Sequence, residues 1–282
     1  MHSGAHDLAW ALRRDPMGIA GLLLVITVLL CAGFAGSIAP HDPVKIDVAH
    51  KFAGISPDHW LGTDQLGRDT LSRVIHGARV AMGIALSSIL ISAVIGLFLG
   101  LAAGYGPRWL DNLILFAFDT LSSIPLILLA LTIIAIVGPG TATLLFVIIV
   151  VSVPGYGRIV RAQTLSLRRA DFILAEQSMG AGAMRILGIH LLPNVLGPLV
   201  ILVSMDIPTV VALEAALSYL GLGVKPPTPS WGAMLFDGYT NLRSSPLPVI
   251  AAGIPLVIAT LGFTFLGEAI RDALDPKMKR GM

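Results

Sequence analysis

Residues 158–198 read RIVRAQTLSLRRADFILAEQSMGAGAMRILGIHLLPNVLGP, and this stretch decides how the chain is organised. It is a long polar segment, with five arginines and two acidic residues, in the otherwise apolar second half of the sequence. Apolar runs long enough to cross a bilayer bound it on both sides. The pattern predicts a cytoplasmic loop between two membrane-spanning helices, placed where it can contact a partner that moves.

Two short helices are predicted inside this loop. Residues 167–179 suit an amphipathic helix, and residues 183–192 suit a second helix that ends at the approach to Pro193. Gly180 and Gly182 allow a sharp turn between them. A helix–turn–helix of this kind can dock in a partner's groove through its apolar side chains. An interfacial helix lying on the membrane surface is the alternative.

The composition is that of an integral membrane protein. The 282 residues are 55% hydrophobic and 13% charged, and a soluble domain carries roughly twice that charged fraction. The net charge of +2 is too small to indicate a nucleic-acid partner. The single cysteine, Cys31, excludes an intrachain disulfide and a cysteine metal cluster. We therefore expect an all-α membrane protein.

Six apolar runs qualify as membrane-spanning helices of about 20 residues. They are 17–39, 80–105, 113–137, 141–157, 196–222 and 247–267. The first run has 23 residues, and the apolar core of a signal peptide usually has about 7–15. We expect a retained membrane anchor there, with a cleaved signal peptide as the alternative.

The distribution of lysine and arginine predicts the orientation. With the amino terminus inside, the inside segments hold 12 of these residues and the outside segments hold 7. Because basic residues concentrate on the cytoplasmic side, both termini are expected in the cytoplasm. The predicted division is a cytoplasmic tail at 1–16, a first helix at 17–39, an outside loop with an amphipathic helix at 40–79, a five-helix core at 80–270 that contains the coupling loop 158–195, and a cytoplasmic tail at 271–282.

The outside loops carry turn and capping signals. Residues 62–73 read GTDQLGRDTLSR, which predicts a turn followed by an N-capped helix on the membrane surface. A docking surface for an outside partner is the alternative. Three prolines at 226–229 stop any helix there. Tyr219 and Trp231 are expected at the membrane–water interface as anchors of a rigid loop.

Acidic residues and a row of glycines stand out within the predicted spans. The acidic residues Asp119, Asp206 and Glu214 are costly in a membrane, so they are expected to face either a cavity or hydrogen-bonding neighbours. Asp206 precedes Pro208, where a kink can open backbone groups towards a pathway. Small residues let helices approach closely, and the helix-packing glycines are Gly96, Gly100 and Gly104.

Motifs for catalysis are absent from the sequence. It contains no Gly-rich ATP-binding loop of the Walker A type, no His-Glu-x-x-His zinc motif and no Gly-x-Ser-x-Gly nucleophile turn. The seven histidines lack the spacing of a strong metal motif. The sequence therefore disfavours a membrane enzyme.

The stretch at 174–193 resembles the cytoplasmic loop motif of ABC importer permeases. That motif runs Glu-Ala-Ala, three residues, Gly, nine residues and Ile-x-Leu-Pro. The matching residues are Ala175, Gly180, Leu192 and Pro193. The departing residues are Leu174, Glu176 and His190. Leu at the first position and His before Leu-Pro are usual in the peptide branch, so Glu176 is the departure that bears on partner contact.

Four further blocks resemble the dipeptide, oligopeptide and nickel permeases, and specifically the second permease of the pair. They are GTDQLGRDTLSRVIHGARV at 62–80, GYGPRWLDN at 104–112, DTLSSIPLILLAL at 119–131 and EAALSYLGLGVKPPTPSWGAML at 214–235. The resemblance implies the type I ABC importer permease fold, with one extra amino-terminal helix before a five-helix core.

The resemblance also implies a division of labour in a bacterial inner membrane. The chain would pair with a second, related permease, contact membrane lipid, bind two P-loop ATPases and receive peptides from a periplasmic or lipid-anchored binding protein. Nickel, an opine or another small solute is the alternative substrate. The chain itself would bind no cofactor and no metal, and the ATPases would bind ATP and magnesium.

The resemblance assigns a role to residues of the loop, and the acidic residues within the spans supply candidates for the pathway. The expected ATPase-coupling residues are Arg169, Asp171, Phe172, Ala175, Glu176, Met179, Gly180, Ala181, Leu192 and Pro193. The pathway candidates are Asp119, Ser122, Asp206 and Glu214. A secondary transporter that uses the acidic pathway candidates as an ion relay is a rival class. It would be expected to contain internal repeats, and the two halves show no convincing repeat.

Overall fold

The computed structural model describes residues 15–274, and its regular elements in that range are helices. They are α1 (Pro16–Gly33), α2 (Ala35–Ile38), α3 (Thr70–Tyr105), α4 (Arg108–Ser123), α5 (Leu126–Val137), α6 (Thr141–Arg168), α7 (Asp171–Ser178), α8 (Ala183–Tyr219), α9 (Trp231–Thr240) and α10 (Leu247–Leu274). Most of both predicted tails, including His2 and His6, lies outside the described residues.

Five helices, α1, α3, α6, α8 and α10, are long and apolar enough to cross a membrane. The sixth candidate is the pair α4 and α5, whose axes differ by 93° across a short break. Pro125 disfavours the helical conformation at Ile124, which is extended with φ −89° and ψ 124°. The predicted all-α membrane fold is confirmed, although its third span is bent rather than straight.

The N-capped helix predicted within 62–73 is present, but it is the start of a long helix and not an element lying on the membrane surface. Asp69 caps a single helix of 36 residues that runs from Thr70 to Tyr105. Its first turns are covered by protein, and both Ser72 and Arg73 are buried. The helix continues because residues 70–79 pack on the rest of the chain while the following residues are apolar.

Helix α6 is longer than the predicted fourth span, 141–157. Helix α6 continues through Pro154 to Arg168 and takes in the first part of the loop assigned to 158–195. The extension is stabilised by neighbouring elements. Arg161 donates two hydrogen bonds to the Asp111 carboxylate on α4, at 2.5 and 2.7 Å. Arg168 donates to the Tyr105 carbonyl at 3.2 Å.

Glycines of α3 permit its close packing on α6. A Cβ atom at Gly100 would stand 2.6 Å from both the Gly157 carbonyl oxygen and the Val160 Cβ. The equivalent positions at Gly96 and Gly104 would lie 2.6 Å from the side chains of Tyr156 and Thr164. The seam is therefore within this chain, and any side chain at these three positions would push the helices apart.

Trp231 is an internal anchor rather than an interfacial one. Its side chain is 1% exposed, and its indole nitrogen donates to the Val74 carbonyl at 3.0 Å. Ser230 caps α9 just before it, so the predicted outside loop contains a helix. Gly77 makes room for the ring on α3. The interfacial prediction for Trp231 is wrong because α9 folds back onto α3.

Candidate coupling surface and polar sites

Helix α7 ends in a turn whose geometry requires Gly180. The Ala181 amide donates to the Glu176 carbonyl and the Gly180 amide donates to the Gln177 carbonyl, both at 3.0 Å. Gly180 has φ +84°. This pair of bonds with a left-handed residue between them is the Schellman motif, which ends a helix and reverses the chain. The turn therefore fixes the direction in which α8 starts.

The segment presents one apolar face to the protein and another to its surroundings. Ile173 and Ile186 point inward and are 0% and 1% exposed. Outward-pointing Phe172, Met179 and Met184 are 47%, 74% and 82% exposed. We call this outward face, formed by Phe172, Leu174, Met179 and Met184, the coupling surface.

The predicted coupling residues follow this division. The exposed members are Arg169, Asp171, Phe172, Ala175, Met179, Gly180 and Pro193. The half-buried members are Glu176, Ala181 and Leu192. The second predicted helix of the loop is not separate, because α8 starts at Ala183 and reaches Tyr219 through a π-helical segment, Ile186–Leu191.

Two residues that depart from the general loop motif lie side by side. The Glu176 carboxylate is 3.5 Å from the His190 Nε2 atom, and both side chains are about one-fifth exposed. The Phe172 ring lies 6.4 Å from the imidazole, between ring centres. Glu176 therefore contacts its own chain, which sequence reasoning had left open.

Asp119 and Ser122 are brought together by an arginine that the sequence placed in the coupling loop. Arg158 donates to the Asp119 carboxylate and to the Ser122 hydroxyl, each at 3.0 Å. The Asp119 side chain is 70% exposed. These three residues form an accessible polar cluster between α4 and α6. The available signal was an acid within one predicted span and an arginine directly after the next span, but nothing local indicated that these two residues would pair.

The other two pathway candidates lie apart on α8. Asp206 is half-buried, two residues before Pro208. Glu214 is 0% exposed, and its Oε1 accepts a hydrogen bond from the Ser218 hydroxyl at 2.7 Å. Glu214 therefore lies in the interior of the chain.

Sequence reasoning missed a buried ionic network around residues 64–73. Asp64 accepts from the Arg68 Nε at 2.7 Å and lies 3.3 Å from the Arg73 Nε. Arg68 also lies 3.7 Å from the Asp237 carboxylate on α9. These groups join the loop, α3 and α9. The alternating acids and arginines at 64–73 were the available signal.

Two protein families together match most of this chain. Residues 96–280 match the binding-protein-dependent transport system inner membrane component family. Residues 5–54 match the N-terminal transmembrane domain of oligopeptide transport permease C.

Individual relatives resemble the chain over nearly its whole length. It is 38% identical to the dipeptide transport system permease protein DppC of Alkalihalophilus pseudofirmus, covering 95% of this chain and 88% of the relative. It is 39% identical to the glutathione transport system permease protein GsiD of Escherichia coli, covering 97% and 91%.

A solved structure shares the fold. The chain aligns with the MetNI methionine ABC transporter in an inward-facing form, with a TM-score of 0.60 and 22% identity over 72% of this chain and 96% of that one.

Proposed function

The chain belongs to the family of binding-protein-dependent transport system inner membrane components, and on this premise we propose that it is a permease subunit of an ATP-driven peptide importer. Peptide as the substrate class is supported by the names of two relatives, which describe a dipeptide permease and a glutathione permease. The protein spans the inner membrane. We further propose that both termini lie in the cytoplasm, as the distribution of lysine and arginine indicates.

The observation that carries the coupling proposal is the coupling surface. Exposed apolar side chains on a short helix, oriented by a fixed turn, are suited to a groove in a partner. We propose that this partner is one of two P-loop ATPases, which bind ATP and magnesium. Closure of the ATPases would then pull on α6 and α8, the two membrane helices that flank α7. Binding energy drives this change only if the partner binds the two conformations differently.

The remaining partners follow from the same premise. A second, related permease would complete the translocation pathway, and a periplasmic or lipid-anchored binding protein would deliver the peptide. Exposed apolar side chains on α1 and α3, such as Leu23, Leu90 and Phe98, suit contact with lipid or with the second permease. The chain itself would bind no nucleotide.

We propose that Asp206 lines the pathway, because an acidic group half-buried in a membrane helix beside a proline is costly without a role. We expect Asp206→Asn to lower peptide uptake roughly tenfold or more, by loss of a charged contact, at normal abundance in the membrane. Glu214→Gln is the matched control, because it also removes an acidic group from α8 but at a buried position, and it should leave uptake unchanged. Uptake kinetics unchanged by Asp206→Asn would return this residue to a structural role.

The proposed function is tested by purifying the tagged protein from its native membrane in mild detergent. Recovery of a second permease and two P-loop ATPases is expected, with peptide uptake into liposomes that requires ATP. Recovery of the chain alone, with uptake that needs no ATP, would overturn the proposal in favour of a secondary transporter.

A further inference from the structure

Two histidines and one aspartate of the outside loop converge although they lie far apart in the sequence. The Nδ1 atom of His59 is 2.9 Å from the Asp69 Oδ1 atom, and the Nδ1 atom of His41 is 3.8 Å from the same oxygen. One ligand atom from each residue lies within 4.8 Å of the others. The two imidazole rings are 5.0 Å apart, between centres.

The aspartate of this cluster is held in place by the start of α3. Its Oδ2 atom accepts hydrogen bonds from the Ser72 amide at 2.8 Å and the Ser72 hydroxyl at 2.7 Å. The same hydroxyl accepts from the His41 amide at 3.0 Å. Asp69 is 3% exposed. Outer contacts of this kind orient metal ligands, and they leave Oδ1 directed at the two imidazoles.

The spacing suits a tetrahedral transition-metal ion. Zinc binds imidazole nitrogen and carboxylate oxygen at about 2.0–2.2 Å, so neighbouring ligands in a tetrahedron stand about 3.3–3.5 Å apart. The distances of 2.9 and 3.8 Å to Asp69 bracket that value. Two imidazoles with one carboxylate favour zinc or nickel over calcium and magnesium, which prefer oxygen ligands.

The cluster opens onto a cavity of about 520 Å³, so an ion has access and a water molecule can complete the tetrahedron. The cavity is also lined by Lys45 and by the carboxylates of Asp42, Asp47 and Asp58. The Asp47 carboxylate hydrogen-bonds to the exposed His50 ring, which lowers the pKa of Asp47 and keeps it ionised. The acidic lining favours entry of a cation.

We propose that His41, His59 and Asp69 bind a zinc ion that clamps the segment 41–59 onto the start of α3. The ion would replace the direct His59 to Asp69 hydrogen bond with two metal–ligand bonds and would add His41 as a third ligand. The site lies on the outside loop and is separate from the coupling surface, so it does not depend on the proposed function.

Zinc binding by the purified full-length chain tests this proposal. The protein is prepared with a tag that contains no histidine and with His2→Ala and His6→Ala, because that pair could bind metal independently. Zinc is titrated in competition with a chromophoric chelator. We expect one zinc per chain, and X-ray absorption at the zinc edge with two imidazole ligands.

The variants are chosen so that folding does not decide the result. His41→Ala removes a ligand whose side chain is 40% exposed, and we expect affinity to fall at least about tenfold. Asp69→Asn still caps α3 but weakens the metal site. His76→Ala is the matched control, since its ring bonds to the Ser72 carbonyl of its own helix. Stoichiometry below one, or His41→Ala with unchanged affinity, would overturn the proposal.

Discussion

The Glu176 carboxylate lies 3.5 Å from the His190 Nε2 atom and joins α7 to the π-helical segment of α8. The pair spans the Gly180 turn, so it connects α7 with the first turns of α8. Glu176 stands where the ABC permease loop motif has alanine, and the contact gives this residue a structural partner inside the chain. A π-helical segment is often found at functional positions, and here it presents His190 to α7.

We expect Glu176→Ala and His190→Ala to act through the same contact. Each single variant should lower stability, and the double variant should lose less than the two losses added together. The coupling between two partly exposed groups should be about 0.5–1 kcal/mol. A double-mutant cycle of thermal unfolding in detergent measures it. Fully additive losses would mean that the two groups do not interact.

Gly180 is expected to tolerate asparagine but not tryptophan. Its φ of +84° is strained for most side chains, by about 1–2 kcal/mol, whereas asparagine adopts it more readily. Gly180→Trp should reach the membrane at normal abundance and lose ATP-dependent uptake, because a bulky side chain beside the coupling surface prevents docking. Gly180→Asn is the control for backbone conformation. Normal uptake by Gly180→Trp would refute the docking role.

Gly100→Ala should destabilise the protein and Gly83→Ala should not, although both glycines lie on α3. A Cβ at Gly100 would stand 2.6 Å from the Gly157 carbonyl oxygen, whereas one at Gly83 meets nothing within 4 Å. We expect the first change to destabilise by about 1–3 kcal/mol and the second to be neutral or stabilising by up to about 1 kcal/mol. Thermal unfolding of both variants checks this. Equal effects would contradict the close α3–α6 seam.

Arg161→Ala should destabilise the junction of α4 and α6. Arg161 makes a two-bonded ion pair with Asp111, and both side chains are about one-fifth exposed. We expect a loss of about 1–2 kcal/mol, between the values for surface and buried pairs. Arg169→Ala is the control, because its side chain is exposed. Limited proteolysis and melting temperature distinguish the two. A similar loss in both would mean that the ion pair contributes little.

Predictions that depend on short stretches of sequence agree well with the structure. Apolar runs of about 20 residues form helices because a bilayer leaves no other way to satisfy the backbone. Gly180 predicted a turn because few other residues adopt a left-handed conformation. The spacing from Ala175 to Pro193, together with the four further sequence blocks, was sufficient to identify the family.

Predictions that depend on which helix packs against which were the ones that failed. Tryptophan is a residue type typical of the membrane–water interface. Trp231 is nevertheless buried, because α9 packs it against α3. Arg161 was assigned to a loop, yet it pairs with Asp111, 50 residues away. Such pairs depend on contacts between distant segments, which no local pattern encodes.

The sequence by itself therefore determined the membrane class, the all-α fold and the family, because apolar length and motif spacing are local properties. The tertiary structure decided where α3 and α6 end, which acids find basic partners, and that His41, His59 and Asp69 meet. The physical reason is that an ion pair or a ligand set requires atoms within about 4 Å, and only the packing of the helices brings residues from distant parts of the chain that close.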